Sequence, residues 1–190
     1  THGMDGKRPT IASMHGMVAA AHPLAAAAGA KLLAGGGNAF DAAAATAAAL
    51  NVVEPYMSGL AGMGMATCHI AAEGRIRTLD FITRVPEHFP AGRFRSRQDV
   101  FRGPFAAGTP GNLAGWCELV RAHGRKTLAE VFAPAIALAG DGFPLVEFNT
   151  DGINQSARSL KDMPFFEDWN RNYTAGAGQV AQGDVLRQPA

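Results

Sequence analysis

The chain has 190 residues, 47% of them hydrophobic with a mean hydropathy of +0.00, so it can bury a real core and has the profile of an ordinary soluble protein. Its formal net charge of +1 supplies no strong field to steer nucleic acid or an anionic membrane, and its 2 cysteines do not make a disulfide scaffold.

The opening "THGMDGKRPT" is polar and carries no basic-then-apolar leader. It is expected to be a flexible N-terminus over residues 1–10, ahead of one body over 11–190. The protein is then either cytoplasmic or exported with its leader removed, and the sequence does not separate these. Met17 to Ala21 is a short apolar run that predicts a buried strand. Pro23 suits a first helical turn, so "PLAAAAGAKLLA" predicts a helix ending at Gly35.

The stretch "GGGNAFDAAAATAAALNVVEPYMSGLAGMGM" admits three readings: a phosphate-cradling loop, a membrane-inserted helix, or a packed internal helix between glycine loops. Ala42 to Leu50 is far too short to span a bilayer. A phosphate loop needs a Gly-Lys-Ser/Thr ending, whereas Asn38 and Ala39 follow Gly37. The packed helix is favoured. Asn38 is its N-cap, Asp41 sits near its positive end, and it stops near Val53, ahead of Pro55.

Beyond it, Met65–Ile70 and Arg75–Ile82 predict two strands joined at Glu73 and Gly74. Arg84 to Gly103 reads as a loop. Its basic cluster, Arg93, Arg95, Arg97 and Arg102, is interleaved with Phe94 and Phe101, and a solvated loop explains it better than a nucleic-acid patch. "GPFAAGTPGNLAGWCELVRAHG" starts extended, turns at Thr109 to Gly111 and continues as a helix to Gly124. Thr127 caps a further helix in which Pro134 implies a kink or two abutting helices. One more helix runs from Pro144 through Ser159, followed by a polar stretch dotted with aromatics.

Chemistry is sparse in these residues. None of the 6 histidines has zinc-helix spacing and neither cysteine has a Cys-x-x-Cys partner, so no metal site is expected. Cys68 and Cys117 read as buried thiols. Asp80, at a strand end, reads as a turn cap rather than a catalytic acid. Thr1 invites an N-terminal threonine nucleophile, but "THGMDGKRP" is a poor strand and a flexible end is preferred. Alone, the residues describe an α/β chain without a complete catalytic set.

In order, "GGGNAFDAAAATAAALNVVEPYMSG", "LDF" followed by Pro86, "GTPGNLAGW" and "LAEVFAPAIALAGDGFPL" resemble the large-subunit half of the gamma-glutamyltranspeptidase family. The resemblance runs from about Ile11 onward and includes "QGDVLRQPA". It implies the helix-rich portion of a four-layer αββα sandwich of the N-terminal-nucleophile hydrolase type. It also implies a precursor that cuts itself to expose a threonine at the start of a small subunit. That threonine would attack a gamma-glutamyl amide such as glutathione, with no metal or organic cofactor. The implied partners are a gamma-glutamyl or related amide and the small subunit of the same precursor, with no nucleic acid and no membrane span.

On this reading the nucleophile lies outside the chain, which resembles a fragment and would be inactive alone. The family commonly reads "DFRE-x-AP" where this chain has Asp80-Phe81-Ile82-Thr83-Arg84-Val85-Pro86. Ile82 occupies the position of the family arginine that grips the substrate's alpha-carboxylate, and an isoleucine cannot make that bidentate bond. Residues two apart in an extended segment point the same way, so Arg84 is the candidate replacement, with a plain surface arginine as the alternative. "SGLAGMGM" also departs, with Ala61, Met63 and Met65 where relatives are richer in glycine or carry an aromatic. Alternatives to a gamma-glutamyl enzyme are an amide acylase with a different acyl specificity, as in glutaryl side-chain removal, and a non-catalytic relative that binds. A nucleotide-binding protein built on Gly35–Asn38 is a distant third.

Overall fold

The computed structural model describes residues 11–94, 96–97 and 106–188. The expected flexible N-terminus with Thr1, and Arg95 and Arg102 of the basic cluster, lie outside the described residues; Arg93 and Arg97 are exposed.

Among the described residues the elements are α1 (Pro23–Ala34), α2 (Ala39–Val53), β1 (Gly64–Ile70), β2 (Arg75–Phe81), a 3-10 turn (Ala91–Arg93), α3 (Asn112–His123), α4 (Leu128–Asp141), β3 (Phe143–Pro144), α5 (Glu147–Leu160), α6 (Phe166–Thr174) and β4 (Val185–Leu186). It is a mixed helix-and-sheet fold with two antiparallel pairs, β1–β2 and β3–β4.

α2 is the hub, packed against α1, α3 and α4. Its alanines make that possible: Ala44, Ala45 and Ala49 are fully buried, and Thr46 Oγ1 turns back to donate to Ala42 O at 2.7 Å. Where α1 crosses, Gly29 is obligatory, because a Cβ there would overlap Thr46 Oγ1 and lie 2.9 Å from Ala42 O. The larger apolar side chains sit around this small-residue centre. Phe143, Leu145 and Ile153 are buried to within 2%, each worth about 2 kcal/mol against exposure.

The N-terminus of α2 is as the sequence predicts, and more. Asn38 Oδ1 accepts from Phe40 N at 2.9 Å, and Asp41 Oδ2 accepts from Asn38 N at 2.8 Å, closing a capping box. The same carboxylate, fully buried, also accepts from the backbone N–H groups of Arg125 and Lys126 in the α3–α4 turn. The preceding glycines are a helix end and turn, with Gly35 as C-cap and Gly36 at φ +85°. At the other side of the core, His22 caps α1: its Nδ1 accepts from Leu24 N and its Nε2 lies 3.2 Å from Asn149 Oδ1. Asn149, fully buried, donates to Val53 O at 2.8 Å and so ties α1, α2 and α5 together.

Several expectations need correction. Met17–Ala21 forms no strand, because no other described segment pairs with its backbone. β2 ends at Phe81 rather than Ile82, and Ile76 on it is 72% exposed, with no described residue covering it. Pro134 neither stops nor divides α4, since the carbonyl it leaves without a donor belongs to Glu130, on an exposed residue where water can serve it. Cys68 and Cys117 are half-buried rather than buried, on β1 and α3, and burial raises the Cys68 thiol above its ordinary pKa. The β3–β4 ladder and α6 were not foreseen. No helix among the described residues is long and apolar enough to cross a membrane.

Candidate functional site

β2 delivers Asp80 and Phe81 to a junction where three backbones meet with almost no side chain between them. The loop after α2 brings Gly62, whose carbonyl accepts from Gly111 N at 2.9 Å and Asn112 N at 3.0 Å. Asn112 is buried at 8% exposure and donates from Nδ2 to Gly59 O at 2.9 Å. The start of α3 is thereby fastened to the glycine loop. Phe81 fills the remaining space: a Cβ on Gly64 would sit 2.5 Å from Phe81 Cε2, one on Gly115 would overlap the ring, and one on Gly111 would overlap Phe81 O. Each of these glycines is required by close approach rather than by backbone angle.

The segment past β2 is held from both sides. Asp80 Oδ1 accepts from Ile82 N at 2.9 Å, so Asp80 is the turn cap that its position suggested. Thr83 turns inward against Gly108, and its hydroxyl donates to Thr109 O at 3.3 Å. Ile82, 44% exposed, and Arg84, also exposed, flank the half-buried Thr83. Arg84 makes no hydrogen bond or ion pair among the described residues. Among the described residues none of Ile82, Thr83 and Arg84 is hydrogen-bonded to a general base.

Next to the glycine loop lies a cleft of about 670 Å³ between α2, α3 and α4, lined by Asn51, Leu60, Leu113, Trp116, Phe132 and Ile136 among others. Burial raises the phenol pKa of Tyr173 at its rim. Asn51 Nδ2 donates to Ala47 O at 2.8 Å, but Asn51 Oδ1 is buried with no partner. Glu54, 6% exposed at the C-terminal end of α2, likewise has an unpartnered Oε1. Among the described residues no group of His, Cys, Asp or Glu gathers to hold a metal ion.

The family model for gamma-glutamyltranspeptidase matches residues 25–190. The chain belongs to the gamma-glutamyltranspeptidase family. It is 39% identical over 171 residues to an acylase ACY 1 proenzyme of Pseudomonas sp. (strain SE83), covering 83% of this chain and 30% of that relative. A glutathione hydrolase proenzyme of Bacillus subtilis (strain 168) is 37% identical over 155 residues, covering 76% of this chain and 26% of that one. The chain thus spans less than a third of the length of these two relatives. The crystal structure of Helicobacter pylori gamma-glutamyltranspeptidase superposes with a TM-score of 0.85 at 30% identity, over 95% of this chain and 52% of that chain. The chemistry to which the family points is amide hydrolysis and transfer of the transpeptidase and acylase type.

Ile82 and Arg84, the two residues singled out in the sequence, both lie exposed on the segment that follows β2 beside the glycine junction. The unpartnered Asn51 and Glu54 and the clamp residue Asn112 were not singled out. For Asn112 a signal existed, a polar residue directly after the turn in "GTPGN"; for the other two none did, since an orphaned atom is visible only in three dimensions.

Proposed function

We propose that residues 1–190 are the N-terminal part of the large subunit of a self-processing gamma-glutamyl transferase or hydrolase. Its nucleophile is an N-terminal threonine on a small subunit cut from the same precursor, and the strand end at Ile82–Arg84 contacts the acyl group. Together the subunits complete the four-layer sandwich. The threonine hydroxyl attacks the amide carbonyl while its own α-amine takes the proton. The amine product leaves with that proton, and the acyl-threonine ester is released to water or to an acceptor amine. No cofactor enters these steps. The observation that carries the reading is the family match over residues 25–190 with proenzyme relatives.

Within it, Arg84 is the donor to the alpha-carboxylate of a gamma-glutamyl group. What supports this is its exposure two residues after Ile82, with no other partner among the described residues. A second reading, an acylase with altered acyl specificity, is favoured by Ile82 itself, an exposed aliphatic residue at the family's arginine position, and by the acylase relative.

A panel of anilides separates the two in the complete, processed protein. A charge-assisted hydrogen bond is worth roughly 1.5–3 kcal/mol, so Arg84→Ala should raise KM for a gamma-glutamyl anilide by about tenfold to a hundredfold. It should leave the butyryl anilide, which lacks a carboxylate, unchanged. Equal effects on both, or none on either, would remove Arg84 from the acyl site. Preferred turnover of uncharged acyl groups by the unmodified enzyme would establish the acylase reading.

A further inference from the structure

Met63 is a large apolar side chain whose backbone is held on both flanks. The carbonyl of Gly62, before it, accepts from Gly111 N and Asn112 N, and a Cβ on Gly62 would sit 2.9 Å from Gly59 O and 3.0 Å from Asn112 Nδ2. Gly64, after it, opens β1 and pairs with Phe81, whose ring leaves no room for a Cβ there. Both glycines are half-buried, while Met63 is 58% exposed. The alternation runs on into the strand, with Ala61, Met63 and Met65 exposed and Gly62, Gly64 and Ala66 half-buried.

The neighbour of this position across the hairpin is Ile82. The register sets Met65 opposite Asp80 and Gly64 opposite Phe81, and the next residues on the two chains are Met63 and Ile82. Residues opposed across an antiparallel pair carry their Cβ atoms about 4.5–5.5 Å apart. One further step of the register therefore places Met63 beside Ile82, both exposed, so a group that lies against one meets the other. Along the hairpin the other exposed pairs, Met65 with Asp80, Thr67 with Thr78 and His69 with Ile76, each include a polar residue. Met63 and Ile82 alone make a wholly apolar pair among these. Ile82 is β-branched and stiff, whereas the unbranched, polarisable thioether of Met63 adapts to what it touches.

We propose that Met63 is a specificity-determining residue: with Ile82 it forms an apolar seat for a straight alkyl stretch of the substrate's acyl group. This rests on the reading of the strand end at Ile82–Arg84 as the segment that contacts the acyl group. The seat takes methylenes, whatever group ends the chain, and selects against acyl groups too short to reach both side chains.

Calorimetric titration of the complete protein with butyrate and hexanoate tests this, for the unmodified protein, Met63→Ala and Met63→Leu. Full burial of a methylene tightens binding about fourfold and half-burial about twofold. Hexanoate, with two more methylenes, should therefore bind about fourfold to sixteenfold tighter than butyrate to the unmodified protein and to Met63→Leu, and less than about twofold tighter to Met63→Ala. An equal ratio in all three proteins would overturn the proposal. So would the absence of hexanoate binding, or of a preference for it, in the unmodified protein. Cleavage into subunits is read separately by mass, and turnover by anilide hydrolysis. A length preference that depends on Met63 in an uncut, inactive protein would keep the seat and remove the enzyme reading. A cut, active protein whose preference ignores Met63 would do the reverse.

Discussion

The two ends of α2 each carry a buried acid, and the two acids are treated in opposite ways. Asp41, fully buried at the N-terminal end, accepts from the backbone N–H groups of Asn38, Arg125 and Lys126, all within this portion of the protein. Glu54, 6% exposed at the C-terminal end, has an Oε1 with no donor among the described residues. A buried carboxylate without partners is costly, so finished proteins pair it. The contrast teaches where this portion is self-sufficient. Around the glycine turn and the α3–α4 connection, the Asp41 carboxylate and the Asn38 side chain find their partners within these residues. Around Asn51 and Glu54, buried side-chain oxygens have no donor among the described residues.

Removing Asp41 should do the most damage. Asp41→Ala removes the acceptor of three part-buried backbone N–H groups, each bond worth about 0.5–1.5 kcal/mol or more to a charged acceptor, so the complete protein should lose about 2 kcal/mol or more, read as a lower urea midpoint. A loss below about 1 kcal/mol would mean that the α3–α4 turn rearranges freely and that Asp41 is no anchor.

Glu54→Gln sharpens the other side. If the rest of the polypeptide supplies charge-assisted donors, the change should cost roughly 1–3 kcal/mol in the complete protein. A gain in stability would show that Glu54 is unpaired there too, and that the asymmetry belongs to α2 itself.

A smaller copy of the Asp41 arrangement sits on α4, where Thr127 and Glu130 form a capping box. Thr127→Ala should cost about 1 kcal/mol. The backbone N–H of Thr127, ahead of its side chain and Lys126, holds the Glu130 carboxyl below its ordinary pKa of 4.5. A depressed carboxylate stabilises the fold above that pH and ceases to as the pH falls through its folded value. The stability gap between the unmodified protein and Glu130→Gln should therefore be present at neutral pH and close in acid; a gap independent of pH would remove the charge from the explanation.

What could be read from the sequence follows the same division. The capping box at Asn38 and Asp41 is local, three residues apart, and was legible; the bonds from Asp41 to residues 84 and 85 positions away were not. α1, α2 and the β1–β2 hairpin announce themselves through proline, glycine and alternation. The β3–β4 ladder pairs Phe143 with Leu186 through two residues per strand, too short for any periodicity to mark. Met17–Ala21 shows the converse failure: the pattern of a strand is legible, but pairing depends on a partner, and none of the described residues provides one. At the candidate site, Ile82 and Arg84 were singled out from the motif, and both lie exposed on the segment that follows β2. The clamp that fixes them, made of Gly62, Gly111, Asn112 and Gly115 around Phe81, depends on contacts between segments remote in sequence.

The central claim is that these residues belong to a precursor that cuts itself to make an amide-cleaving threonine. The intact mass of the purified product of the complete gene, taken under denaturing conditions, tests it most directly. Two chains are expected, with the one that does not contain residues 1–190 beginning at threonine. A single uncut chain, under conditions where the protein is folded, would contradict the claim and leave a binding protein on an enzyme's fold.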